Sequence, residues 1–286
     1  MMRMSVPVTV GALAQAPAQT EMSQADIFDE VVMSDPFFAS SLYTNIMLAG
    51  LTLLAIAYIA RGVSDPRAKL IVVSCMMISA VSVASYTGLF SGMTISVLEM
   101  PPGHALAGEE AVSLWGRYLT WALSTPFILL ALGLVAGSNL TKIFTAIVFD
   151  VGIMVTGLAA ALTTSSYALR WFWYLVSVTF FIVVVYILLA EWPEDARRTG
   201  TVGIFNKLKI LTVVLWFGYT VWWGVGNEGL ALVESVALTS WGYSILDIVA
   251  KYAFSFLVVL YVVDEPDEVT GGEDWGSLAP SSGADG

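Results

Sequence analysis

Ser240–Phe256, SWGYSILDIVAKYAFSF, places an ammonium group, Lys251, near the middle of an apolar stretch running from about Leu238 to Val263. A charge at the centre of a bilayer-length helix is costly unless something pairs with it or consumes it. Asp247 stands at i−4, one turn back on the same helical face, where carboxylate and amine can meet. Two readings are open: the pair simply neutralises itself, or it works. Apolar side chains would stabilise a buried site as well as an ion pair does, so the pair points to function.

Working outward, the chain of 286 residues is 57% hydrophobic and 12% charged, with a mean hydropathy of +0.79, a composition foreign to ordinary water-soluble domains. It reads as an all-α membrane protein. A helix crossing about 30 Å of hydrocarbon needs roughly 20 apolar residues. Seven runs qualify: Phe37–Ala60, Ala68–Phe90, Val112–Ala136, Ile143–Leu162, Leu169–Ala190, Val202–Val225 and Leu238–Val263. Residues 1–36 form an N-terminal tail, 37–263 the seven-helix domain, and 264–286 an acidic tail whose Gly, Ser and Pro content predicts disorder from Glu265 onward. The first 35 residues lack a basic start followed by a compact apolar core and are not read as a signal peptide.

Arg61, Arg67, Lys69, Lys142, Arg197, Arg198, Lys207 and Lys209 fall in the loops after spans one, three and five or at their helix ends, which makes those loops cytoplasmic. The opposite loops and the N-terminal tail carry only Arg3 and Arg170, so the N-terminus faces outward and the C-terminus inward across the cell membrane. The net charge of −11 disfavours nucleic acid and anionic lipid as partners. Asp264, Glu265, Asp267, Glu268, Glu273 and Asp274 read as a solvation coat, suited to a high-salt habitat or equally to an ordinary acidic tail. The single cysteine, Cys75, excludes an internal disulfide and reads as a small core residue.

At bilayer depth the charges are Arg117 in span three, Asp150 in span four, and Asp247 with Lys251. Asp150 has no evident cation, so a neutral carboxyl hydrogen-bonded between helices is the expected form. Span three carries WGRYLTWALSTPFILLA, in which Arg117, Thr120, Trp121, Ser124, Ile128 and Ala131 share a face that offers hydroxyls and an arginine but no acid. Pro126 frees the Ala122 carbonyl and bends that helix. Trp216, Tyr219 and Trp223 recur on one face of span six, and with Trp121 they read either as core packing or as flat walls for a long apolar molecule joined to Lys251. A protonated imine there would need a counterion such as Asp247. The sequence has no phosphate-binding glycine loop and no Cys or His metal cluster; with His104 the only histidine, a Ser-His-Asp triad is excluded unless His104 served in it. His104, in the loop EMPPGHALAGEE, reads first as a solvated residue and alternatively as a tuning group at an ion entrance.

WGRYLTWALSTP, LDIVAKY, TGLAAALTTSS and EMPPGHALAGE together resemble the microbial rhodopsins along essentially all seven spans, and among them the haloarchaeal halorhodopsins. That resemblance implies a seven-helix bundle in which Lys251 carries all-trans retinal as a protonated Schiff base with Asp247 as counterion. It implies a pocket lined by Trp121, Thr125, Ile128, Ile153, Gly157, Tyr174, Ser177, Phe181, Trp216, Tyr219 and Trp223. Proton pumps of the family carry carboxylates where this chain has Thr120 and Ala131, and a release glutamate where it has Thr239. The chain departs from the family at Thr220, where proline is usual, so the bend or gating of span six is open to difference, and a bond from Thr220 back to the preceding turn would bend it weakly.

With a protonated Schiff base on Lys251 and Arg117 positive against one Asp247, the site holds an uncompensated positive charge in low dielectric and should attract an anion. A chloride ion near Thr120, Ser124, Trp121, Asp247 and the imine, with Arg117 at longer range, would neutralise it. The implied activity is a light-driven inward chloride pump rather than an enzyme, with isomerisation to 13-cis carrying the anion inward. Glu228 and His104 would lie on the entry path and Lys209 and Thr212 on the release path; Glu228, in the outer GNEG loop, could equally be a solvated acid. The rival readings are a retinal photosensor acting through a membrane transducer and an outward proton pump, both disfavoured by Thr120. The resemblance further implies a homo-trimer in the lipid bilayer and leaves a bound carotenoid open.

Overall fold

The computed structural model describes residues 22–269; Arg3, Glu273, Asp274 and the remainder of both tails lie outside the described residues. Seven helices are long and apolar enough to cross a membrane: α1 (Pro36–Ile59), α2 (Pro66–Phe90), α3 (Gly116–Val135), α4 (Leu140–Leu162), α5 (Tyr167–Thr199), α6 (Val202–Val225) and α7 (Val236–Asp264). Their starts are written in local chemistry. Asp35 precedes Pro36 and accepts from the Phe37 and Phe38 amides, and Asp65 precedes Pro66 and accepts from Arg67 and Ala68. Asn139, Ser166 and Ser235 cap α4, α5 and α7 in the same way. Each cap satisfies an amide that has no partner inside the helix, and proline at the first position loses nothing because its N–H would be orphaned there.

Three boundaries differ from the sequence reading. The third span was expected from Val112, yet Glu110–Ser113 is a strand, β2, paired antiparallel with β1 (Ser96–Glu99), and the helix starts only at Gly116. Apolarity alone cannot tell a short covering hairpin from a helix start. The fifth span continues past Ala190 to Thr199 through a π-helical segment, Ile187–Glu191, so Arg197 and Arg198 sit on helix rather than in a loop. Asp195 on that extension is buried and takes bonds from Ser138 and Lys142 and an ion pair with Arg198. Of the tail expected to be disordered from Glu265, Pro266–Val269 is helical, Val269 packs into the main apolar cluster, and the Tyr261 hydroxyl donates to Glu268; residues 270–286 lie outside the described residues.

Apolar side chains are partitioned as a bilayer demands. Leu54, Tyr58, Phe144, Val155, Ile182 and Val214 face outward, whereas Ile71, Ile78, Leu132, Trp192, Phe205 and Val258 fill the interior. The largest buried cluster draws on all seven helices at the end of the bundle where Arg67, Lys142 and Arg197 lie. Cys75 is a free thiol within it. A second π-helical segment, Ile248–Ala253, holds Lys251 and shifts the side chains of α7 relative to one another.

Close approach of α6 and α7 depends on Gly242: a Cβ there would lie 2.1 Å from the Trp222 ring, whose Nε1 donates to the Thr239 carbonyl at 3.0 Å. Gly242→Ala is expected to cost about 1–3 kcal/mol by overpacking. Thermal unfolding of the purified protein in detergent should show a drop in Tm on the order of 5 °C; an unchanged Tm would mean that Trp222 moves freely.

Candidate functional site in the helix bundle

Asp247 and Lys251 meet as the i, i+4 spacing predicts, Nζ to Oδ1 at 3.1 Å, with both side chains 1% exposed. The carboxylate is shared among helices. Tyr86 of α2 donates to Oδ2 at 2.5 Å, while Tyr219 of α6 and Trp121 of α3 donate to Oδ1 at 2.6 and 3.2 Å. Arg117, at the start of α3, donates to the Tyr86 hydroxyl at 3.0 Å and to Ser240 Oγ at 2.7 Å. Ser240 Oγ in turn lies 2.5 Å from Ser41 Oγ of α1. The site therefore contains two cationic side chains against one carboxylate.

A cavity opens beside Lys251 and is lined by Trp121, Thr125, Ile128, Ile153, Gly157, Tyr174, Ser177, Phe181, Trp216, Tyr219 and Trp223, together with Tyr118, Met154, Val178, Thr220 and Ala250. Every pocket residue singled out in the sequence falls on this one cavity except Asp247, which sits behind Lys251. Its walls are flat: Tyr174 stacks on Trp223 at 4.7 Å between centroids, and Trp121 meets Tyr219 edge-on at 5.3 Å. Gly157 keeps the space open, since a Cβ there would come within 3.2 Å of Tyr118. Beside the Lys251–Asp247 pair, Ser124 Oγ and Arg117 Nε are buried donors with no protein acceptor among the described residues. An apolar slot ending at an amine fits a long apolar group joined to Nζ, and unpartnered donors beside it fit an anion.

The hydroxyls of α3 are not equivalent. Thr120 donates to the Gly116 carbonyl at 3.0 Å, whereas Ser124 is fully buried and unpaired. Asp150 lies where the sequence reading put it: buried, 2.6 Å from Thr125 Oγ1, which also lies 2.8 Å from the Trp121 carbonyl. One hydroxyl proton cannot serve both oxygens, which agrees with a neutral carboxyl at Asp150 donating to Thr125.

At the end of the bundle that carries the hairpin, three sequence expectations need correction. Arg170 is no loop charge: it is fully buried in the first turn of α5 and donates to the carbonyls of Glu228 at 2.6 Å and Thr163 at 2.9 Å. Glu228 is not solvated but 8% exposed, accepting from Ser113 at 2.8 Å and Tyr118 at 3.0 Å. His104 is likewise buried under the hairpin, packed edge-on against Tyr167 at 5.5 Å, its Nδ1 accepting from the Leu106 amide. Burial, and secondarily the Arg170 guanidinium, holds its imidazole below the ordinary histidine value, so it is neutral at neutral pH. In the half of α6 away from the hairpin, Thr212 is buried and Lys209 is half-buried, bonded to Asn206 at 2.8 Å.

Tyr86, Tyr118 and Ser240 escaped the sequence reading. A hydroxyl inside an apolar helix carries no periodic signal, and only the contact with Arg117, Asp247 or Glu228 distinguishes it from ordinary core.

A family model described as a bacteriorhodopsin-like protein matches residues 37–265. Over 260 residues the chain is 60% identical to a halorhodopsin of Halorubrum sodomense, covering 91% of this chain and 92% of that one. It is 62% identical over 252 residues to a halorhodopsin of Halobacterium sp. (strain SG1), covering 88% of each. A solved structure described as halorhodopsin, a light-driven chloride pump, superposes with a TM-score of 0.81 at 51% identity, covering 82% of this chain and 98% of that one. By these matches the chain is a multi-pass membrane protein that belongs to the bacteriorhodopsin-like family, on its halorhodopsin branch.

Proposed function

We propose that the protein is a light-driven inward chloride pump, and the observation that carries this reading is the charge imbalance around Asp247. Lys251 and Arg117 place two cationic groups about a single carboxylate, with a free Ser124 hydroxyl beside them. An anion completes such a site; no acid stands at Thr120 or Ala131 to take a proton instead. The solved halorhodopsin described as a light-driven chloride pump, 51% identical to this chain, supports the same substrate here.

Retinal, bound through Lys251, supplies a light-driven change of shape and of N–H direction. The chain's own residues do the rest. Tyr174, Trp216 and Trp223 hold a long apolar group flat, and Gly157 leaves it room. Asp247, tied by Tyr86, Tyr219 and Trp121, stays at Nζ and cannot follow a departing anion. Ser124 is the primary anion donor, because Thr120 can turn to an anion only by giving up the Gly116 carbonyl. Arg117, anchored on Tyr86 and Ser240, supplies positive potential from the outer side. Glu228 and His104 border the way in, and Lys209 and Thr212 the way out. In the same reading the chain assembles as a homo-trimer in the cell membrane, N-terminus outside, with room for a carotenoid.

The test is the light-induced pH change of vesicles or cells carrying the retinal-loaded chain, in chloride and in sulfate, with and without a protonophore. Inward chloride pumping gives external alkalinisation that requires chloride and grows with protonophore. Chloride-independent acidification would make it a proton pump, and a coloured protein giving no signal would make it a photosensor. Two substitutions refine the site. Ser124→Ala should raise the Kd for chloride in a spectral titration by about tenfold, the loss of one charge-assisted hydrogen bond, and Thr120→Val by less. Thr120→Asp should replace chloride transport by proton movement; undiminished chloride transport without a proton signal would refute the assignment of Thr120 and Ser124 to the anion.

A further inference from the structure

Cys75, Ser79, Ser82 and Tyr86 recur at spacings of four, three and four residues along α2, so they share one face, and all are fully buried. That face looks at α7, which runs the opposite way. Tyr86 bonds Asp247, Ser82 lies against Tyr252, and Cys75 lies against Ser255. The ladder fixes the depth of Ser79, which must stand between the Tyr252 and Ser255 levels, just past Lys251 on the cytoplasmic side.

A serine inside a helix ordinarily returns its proton to the carbonyl four residues back, as Ser74 does to Leu70 and Ser82 to Ile78. Ser79 and Ser255 do not. Both are fully buried, and neither hydroxyl is bonded to any oxygen or nitrogen among the described residues. Each is next in sequence to a member of the main apolar cluster, Ile78 or Phe254, which also holds Ile128, Ala131 and Val258. Unpaired hydroxyls cost free energy, and a dry apolar layer is the barrier a bare anion leaving Lys251 would meet.

We propose that Ser79 and Ser255, with the Cys75 thiol at their edge, form a transient halide site one step inward of Lys251. Two hydroxyl donors take the anion as it leaves Ser124 and hold it until the cytoplasmic end of the bundle opens. The inference rests on the chloride-pump reading above. It assigns the inner station to α2 and α7, whereas the resting station lies on α3.

The test uses the full retinal-loaded chain with Ser79→Ala, Ser255→Ala and the double substitution. Halide affinity in the dark should stay as in the native chain, because the resting site is elsewhere. Light-driven chloride uptake, and the chloride-dependent recovery after a flash, should slow by about tenfold in the double variant and about threefold in each single one, the loss of one or two hydrogen bonds. Restoring hydroxyls as Ser79→Thr with Ser255→Thr should recover the rate. The single cysteine supplies an independent readout: its S–H stretching band should shift on illumination in chloride or bromide and not in sulfate. An unchanged transport rate in the double variant overturns the inference, as does a weakened dark affinity, which would place the pair in the resting site. If the double variant does not fold, the single variants decide by the same criteria. A native chain that moves no chloride would instead overturn the functional reading itself.

Discussion

The carboxylate of Asp247 is the constraint on which the rest of the bundle depends. Four groups reach it from four helices: Tyr86 of α2, Trp121 of α3, Tyr219 of α6 and Lys251 of α7. A buried carboxylate is tolerable only when its lone pairs are occupied, and here each oxygen has a donor. The arrangement therefore positions helices as much as it balances charge. It also leaves a surplus, since Arg117 is drawn into the same network through Tyr86 with no carboxylate of its own. With Thr120 on α3, no second acid there offsets the two cationic groups around Asp247.

The two halves of the bundle are built differently around this centre. On the hairpin side of Asp247 the interior is polar and bonded: Arg117 to Ser240, Tyr118 to Glu228, Trp223 to Tyr118 at 2.7 Å, Arg170 to the Glu228 carbonyl. On the other side it is a packed apolar cluster that includes Ile71, Ile128 and Val262. An ion can be handed along fixed dipoles in the first half, where the donors cost no reorganisation. In the second half it can pass only when packing opens or when isolated hydroxyls replace its hydration. Direction of transport is thus compatible with a site that fills readily from one side and empties through a barrier on the other.

Much of this was legible in the residues. Seven spans, the Lys251–Asp247 spacing and the aromatic face of α6 follow from periodicity and charge, because a bilayer leaves helices few alternatives. What escaped was of three physical kinds. Hydroxyls such as those of Tyr86 and Ser240 have no period, and their role appears only across helices. The strand at Glu110–Ser113 is apolar for a reason other than membrane burial, since it covers Glu228 and α3. Arg170 reads as a loop charge because the sequence cannot show that two backbone carbonyls, at Thr163 and Glu228, wait for it.

Helix α6 illustrates how a departure from family habit is absorbed. Thr220 stands where proline is usual, and its hydroxyl bonds back to the Trp216 carbonyl at 3.3 Å, a contact that perturbs a helix far less than a missing amide. The fixed point is supplied from outside the helix instead. The Tyr174 hydroxyl of α5 donates to the Thr220 carbonyl at 3.1 Å, beside its stacking on Trp223 and close to Gly224, where a Cβ would meet that oxygen at 3.7 Å. A proline would weaken α6 at this level by removing a bond; here a bond from α5 is added at the same level, on the wall of the cavity. The part of α6 that carries Lys209 and Thr212 packs through Phe205 and Leu208 into the main apolar cluster, while the part beyond Thr220 is held by Tyr174 and lies close against α7 at Gly242. The cavity wall and α6 are joined at this cross-link, so a bond from α5 ties the helix at the level where a proline would have removed one.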